Sequence, residues 1–506
     1  VECGGEVDSV QHSEIASDLA SWLKSKGERR GILAASLADR LRQVRPREWK
    51  ALYSELCSIH MQRVDLDAMS TLPAAQAVEL LGAATLNRSG YVREAALHKL
   101  AEFSHPRTIV YVLLRLGDWV DEVRTAANKS MRRLLLRGDV EIFLQNHVLI
   151  EAATRNHRVS LDGVLDGLRE SLLSPTARPL VLARLREGVQ AERWFLLRFL
   201  EPELARSREF AELAVRDSAP SVRAWAAKRL PTTSRVHADL VAQLLNDPTP
   251  RVARAALQRQ VLPLSATARA LIEPLIFASA VGVRETARFA LERSGVSDFA
   301  ARYRAHLAAP SVNLVSPGAI QGLGETGDVS DLAAVLSFAT APRAAHREAA
   351  LHAAAQLDAD AVHAQLIEAL RDRNRQVRRV ASRALASRLD QATVQTLRSM
   401  LAELDEPRRA SVRSLLATRS QWDVVPDLLE ALLDDSERIR RASGAALDGW
   451  YARHATMGWL RPSEATRDAL REALARLHLA AAVPSRLALS LPQVQAWSRQ
   501  VSGGRS

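Results

Sequence analysis

Cysteine is almost missing from this chain: Cys3 and Cys57 are its only two among 506 residues. Two thiols exclude a disulfide framework and a cysteine-based structural zinc site, and the economical reading is a reducing, cytoplasmic setting. Aromatic residues are also scarce, at 5%. Lysine is scarcer still, supplying six of the 69 basic residues and none beyond Lys228. The formal net charge of +11 is therefore an arginine charge. Arginine and alanine enrichment throughout a chain can reflect a GC-rich coding sequence, so placement says more about partners than the sum does. No uninterrupted apolar run reaches the roughly 18–20 residues of a membrane-spanning helix. The opening VECGGEVDSV lacks the basic-then-apolar order of a secretory signal.

The motifs of common chemistries are missing too. There is no HExxH, no paired CxxC, no GxxxxGK[ST] phosphate loop and no GxSxG elbow. The 13 histidines form no compact set with acidic residues at metal-ligand spacing. No catalytic residue, metal site or cofactor is expected. A GxGxxG does occur, in GLGETG at 322–327, but it follows a helical pattern rather than a strand, which rejects a dinucleotide site.

Alanine and leucine dominate what is present, and a composition of 47% hydrophobic and 25% charged residues is that of a foldable, helix-rich chain. The strongest signal is a repeat. Arg347, Arg378, Arg409 and Arg440 lie in AHREAALHAAAQL, QVRRVASRALASRL, RRASVRSLLATR and RIRRASGAALDGW, each 31 residues after the last. Arg284 and Arg223 stand in similar segments, Val252 marks another, and Arg93 and Arg124 are again 31 apart. One further unit, SPGAIQGLGETGD, fits between Arg284 and Arg347, and two with extra residues fit between Arg124 and Arg193.

Each unit reads as a helix pair. In QVRRVASRALASRL, Val377, Ala381, Ala384, Leu385 and Leu389 form an apolar stripe at three-to-four-residue intervals. DAVHAQLIEALRD and VVPDLLEALLDD supply preceding helices, and Asp372 and Asp434 suit a capped or tightened turn. GLGETGD at 322–328 reads as a helix end, a turn and a new start. One pair cannot bury its own apolar face, so successive pairs must stack.

These segments resemble the HEAT-repeat family, in particular its short bacterial form with a D-x-x-x-x-V-R-x-x-A-x-x-A-L pattern, as in DSAPSVRAWAAKRL at 217–230 and DDSERIRRASGAAL at 434–447. Arg408 replaces the valine before Arg409, and Ala253 replaces the arginine after Val252. The resemblance implies an all-α, right-handed α-solenoid of about 11–12 stacked pairs with atypical capping ends. The expected organisation is an N-terminal helical cap over 1–73, a repeat solenoid over 74–450 that is irregular near 137–190, and a C-terminal helical cap and tail over 451–506.

Function is expected to follow from surface. The recurring Arg93, Arg124, Arg223, Arg284, Arg347, Arg378, Arg409 and Arg440 suit a structural role, holding turns through aspartate or carbonyl oxygens, because a guanidinium offers several fixed donors. Arg254, Arg288, Arg379, Arg383, Arg413 and Arg441 lie beyond that position and are the candidates for contact with a partner, although Glu403, Asp405, Glu406, Asp434, Asp435 and Glu437 interrupt the same region. Some HEAT proteins excise alkylated bases, and by that resemblance Trp119, Asp121 and Glu122 are remote candidates for stacking on a base and stabilising positive charge on a sugar. A noncatalytic scaffold for a protein partner or assembly is the first expectation, and nucleic-acid binding along a basic groove is the alternative.

Overall fold

The computed structural model describes residues 5–44, 48–138, 140–154, 162–232, 237–419, 421–454 and 462–479. Among the described residues every regular element is a helix, and the helices are arranged as stacked pairs. The chain divides into two compact units, Val1–Leu244 and Leu245–Ser506.

In the first unit the helices Gly5–Lys24 and Gly27–Gln43 pack together, and the second also packs on Ala74–Ala84. Ile15, Leu19, Trp22, Leu37, Leu41, Leu80 and Leu81 close this core. A polar tie crosses it. Arg107 Nε donates to Glu79 Oε1 at 2.9 Å, and its Nη2 donates to the Leu41 carbonyl at 3.1 Å. The Tyr111 hydroxyl donates to the same Glu79, which is fully buried. Gly82 is required beneath that ring, because a Cβ there would collide with Tyr111. Further along, Gly90–Leu100 and Asp121–Leu136 stack as successive second helices. Between the helices that carry Arg124 and Arg193 stand Val140–Gln145, His147–Thr154, Asp162–Leu173 and Arg178–Glu187.

In the second unit the second helices Val281–Glu292, Pro317–Thr326, Ala344–Asp358, Arg375–Leu385 and Glu406–Leu416 pack each on the next. The Arg375–Leu385 helix shows why the sequence behaves this way. Asn374 caps it by accepting from the Gln376 N–H, and Val377, Val380, Ala381 and Leu385 are its buried stripe. Ala384 is only half-buried, and Leu389 falls beyond the C-cap Ala386. Small residues let neighbouring helices approach: Ala349, Ala350, Ala353 and Ala354 are fully buried, and a Cβ on Gly324 would lie 2.5 Å from the Ala353 Cα.

GLGETGD carries the helix end, turn and new start that its sequence suggests, since Asp328 caps the next helical turn, Val329–Asp331. Gly322 and Gly324 lie inside the Pro317–Thr326 helix, and the helix ends at the C-cap Gly327. Gly322 serves packing, since a Cβ there would collide with the Tyr303 ring. Within the helix, Gly322 and Gly324 use the missing side chain of glycine, while the turn itself falls at Gly327.

The second unit closes on Val425–Ala431 packed with Glu437–His454 and Glu464–Leu479, around Trp422, Trp450, Leu470 and Leu474. Of the expected C-terminal helical cap and tail over 451–506, residues 455–461 and 480–506 lie outside the described residues.

Candidate functional site: carboxylate clamps and an arginine groove

Three of the eight recurring arginines, Arg93, Arg347 and Arg409, are spent on a repeated clamp. Arg347 Nη1 donates to the carbonyls of Ala341 and Pro342 in the turn before its own helix, while Nε and Nη2 grip Asp372 at 2.7 and 2.9 Å. Asp372 stands 25 residues on, in the turn of the next pair, where it also accepts the Asn374 N–H at 2.7 Å. One arginine thus fixes two consecutive turns. Arg93 does the same with Asp118, and Arg409 with Asp434. Arg193, in the irregular part of the array, grips Asp217 at 2.8 Å. Arg124, Arg223 and Arg440 donate to carbonyls of the turn before their own helix.

Asp118 and Asp434 are buried and Asp372 is half-buried, and burial pushes their carboxyls up. The guanidinium and turn N–H bonds more than offset it, so Asp118, Asp372 and Asp434 are all held below the usual carboxylate range.

Arg284 solves the same problem with a different carboxylate. Its Nη1 donates to the Ala278 and Ser279 carbonyls at 2.7 and 2.8 Å, but Leu314 occupies the turn position that is aspartate in the Arg93, Arg347 and Arg409 clamps. Glu325, reaching from within the next helix, pairs instead with both Arg284 and Arg288.

The candidate partner-contact arginines therefore separate. Arg288 is held by Glu325 and by the Tyr303 hydroxyl, and Arg413 shares Asp434 with Arg409, so neither belongs to an open track. Arg441 is exposed but paired within its helix to Glu437. Arg254, Arg379 and Arg383 are exposed and have no carboxylate partner among the described residues.

Arg379 opens onto a surface cleft of about 510 Å³ between the Arg375–Leu385 and Glu406–Leu416 helices. Arg375, Arg378 and Arg438 line it with Arg379, above a floor of Ser382, Ala410, Ser411 and Ser414. Arg375, Arg379 and Arg383 are each four residues apart, so they form one row, about 6 Å per step along the helix. That spacing is legible in the sequence, although neither Arg375 nor Arg438 is among the candidates drawn from it.

Arg378 departs from the clamp. It is 5% exposed, and its Nη1 donates to the Asp372 and Arg373 carbonyls at 2.8 and 3.1 Å. Its Nε, however, goes to the Ser411 hydroxyl at 2.9 Å rather than to a carboxylate. Burial first, and then the positive charge of Arg408, lower its affinity for a proton.

The remote base-binding trio is placed on the first unit's surface. Trp119 is 78% exposed, with the Arg93 guanidinium 5.4 Å from its ring centroid. Asp121 is ion-paired with Arg124, and Glu122 is exposed beside it. Trp194 and Trp225 meet edge-on at 5.7 Å, the latter buried. Among the described residues no group of three or more His, Cys, Asp or Glu side chains could hold a metal ion. Nor is any described helix long and apolar enough to cross a membrane.

Stacked helix pairs joined turn to turn define an all-α, HEAT-like solenoid class. A family profile described as HEAT repeats matches residues 363–448, the stretch that contains the arginine groove. Among solved structures the chain is similar to Kap95p bound to RanGDP, at 12% identity and a TM-score of 0.30, covering 96% of this chain and 63% of that one. It is also similar to Kap95p in a complex with Nup1, at 13% identity and a TM-score of 0.31, covering 91% and 76%. A third is Kap121p bound to the extreme C-terminus of the phosphatase Cdc14p, at 11% identity and a TM-score of 0.31, covering 89% and 54%. The chain thus spans under two thirds of the first and third. No curated protein matches the chain.

Proposed function

We propose that this protein is a noncatalytic scaffold that binds a protein or assembly partner through the exposed faces of its second helices and its atypical ends. The observation that carries this reading is the clamp. Arg93, Arg193, Arg347 and Arg409 are held by Asp118, Asp217, Asp372 and Asp434, so these groups rigidify the stack and are not available for chemistry. A preformed surface of this kind loses little entropy on association. The 31-residue interval supports the finer reading as the short bacterial type of HEAT repeat.

Affinity purification from the native cell, with identification of both protein and nucleic acid, tests the proposal. A stoichiometric protein partner that cross-links to second-helix residues is the expected result. Turnover of a defined substrate by the purified chain, abolished by an alanine change that leaves the fold intact, would overturn it.

Nucleic-acid binding is a second reading, favoured by the four arginines and absent carboxylates of the Arg375–Leu385 helix. It requires affinity for DNA or RNA that falls steeply with salt.

A further inference from the structure

The Arg375–Leu385 helix runs against the electrostatics of its own fold. Arg375, Arg378 and Arg379 crowd its first turns, where the helix dipole favours negative charge. Local rules are broken in this way chiefly at functional positions. The neighbouring clamps sharpen the point. Arg347 and Arg409 each present Nε and Nη2 to an aspartate of the next turn, whereas Arg378 presents Nε to Ser411. Among the described residues no carboxylate pairs with Arg378, Arg375 or Arg379, although all three line one cleft. A charge so deeply buried is strongly disfavoured unless it is paired.

We infer that this cleft binds an acidic segment of a protein partner, whose Asp or Glu side chain completes the Arg378 clamp while neighbouring carboxylates meet Arg375, Arg379 and Arg383. The inference rests on the scaffold reading and names the chemistry of the partner. Carboxylates on alternate residues of an extended peptide repeat at about 6.6 Å, close to the step of about 6 Å along the arginine row. The serine and alanine floor lets a backbone approach closely and offers hydroxyls to it. A nucleic-acid strand fits less well, because its continuous negative charge would run on from the cleft toward Glu403, Asp405 and Glu437.

The test uses the full chain and a fluorescein-labelled, end-capped 12-residue peptide of alternating Glu and Ala, read by anisotropy. Its Gln-for-Glu counterpart and a 12-nucleotide single-stranded DNA serve as rivals. The Glu peptide should bind, and the Gln peptide should bind at least about tenfold more weakly. A similar loss, about tenfold or more, is expected for the Arg375→Gln/Arg379→Gln variant, which removes two exposed charges without touching the core. Ser411→Asp should supply the carboxylate from within the chain, raise thermal stability and abolish peptide binding. Arg441→Gln, already paired to Glu437, should change affinity less than about twofold.

Absence of Glu-peptide binding, or binding indifferent to Ser411→Asp and to the double variant, overturns the inference. Tighter binding of the DNA, lost with the same variants, also overturns it and makes the cleft a nucleic-acid site. A cellular partner retained by Ser411→Asp protein would remove the groove proposal while leaving the scaffold standing. Failure to capture any protein partner would count against the scaffold itself.

Discussion

Glu325→Gln is the sharpest perturbation of the stack, because one carboxylate there answers two arginines. The Arg284 side chain is 1% exposed, Arg288 13% and Glu325 9%. Glu325 lies 2.7 Å from Arg288 and pairs with Arg284 through both of its oxygens. Glutamine keeps the shape and one acceptor oxygen but leaves two guanidiniums facing each other without a counter-charge. Breaking a buried ion pair from one side costs about 3–5 kcal/mol. The retained acceptor, the Tyr303 hydroxyl on Arg288 and the carbonyls on Arg284 reduce that to roughly 2–4 kcal/mol. Chemical denaturation should show the loss, and hydrogen exchange should locate it in Val281–Glu292 and Pro317–Thr326, since repeat arrays open locally. Glu292→Gln, at an exposed position in the neighbouring helix, is the matched control and should change stability by less than about 0.5 kcal/mol. If Glu325→Gln behaves like that control, the clamp is ornamental and the electrostatic account of the stack is wrong.

Asp372 and Asp434 are held below the ordinary carboxylate range, so the stability they contribute is fully present above the unfolded value of about 3.9 and is lost as pH falls through their lower folded values. The double change to asparagine should therefore flatten the acid side of the stability profile measured by urea melts below about pH 4, and leave a constant deficit at neutral pH. Gly322→Ala should destabilise by roughly 1–2 kcal/mol in thermal melts, because collision with Tyr303 outweighs the gain in helix propensity. Removing the buried donor in Tyr111→Phe leaves Glu79 relying on Arg107, and a loss of about 1–3 kcal/mol is expected by the same assay.

The pairing of helices was legible because the apolar stripe and the arginine interval are both written locally. Val377, Ala381 and Leu385 announce a buried face without reference to anything distant. The partners of the arginines were less legible. Asp118, Asp372 and Asp434 lie 25 residues beyond Arg93, Arg347 and Arg409, so the pairing appears only when the sequence is folded at that period. Glu325, 41 residues beyond Arg284, obeys no period at all. Arg288 and Arg413 looked like surplus surface charge because a sequence does not show that two guanidiniums can share one buried carboxylate. Glycine has two uses that a sequence does not separate. Gly322 and Gly324 have the same letters in a turn as in a close helix contact, and only the Tyr303 ring and Ala353 distinguish the two.

Positions where the clamp is missing show what it must satisfy. Ala253 stands in an arginine position, and the matching position 25 residues on is Ala278 rather than aspartate. Ile320 stands in another, and Ala341 occupies the turn that would have held its carboxylate. The two halves are absent together, as expected if either alone would leave a buried charge without its counterpart. Leu314 removes only one half, and Glu325 restores it from another direction. Where buried arginines and carboxylates answer one another, they cancel, and the chain's net positive charge falls on arginines outside such pairs. Arg378 is buried in the repeated position and opens onto Arg375 and Arg379, while Glu403, 25 residues on, pairs with Arg371 at 2.9 Å instead. With Glu403 committed to Arg371, the acidic group that completes this clamp is left to come from outside the chain.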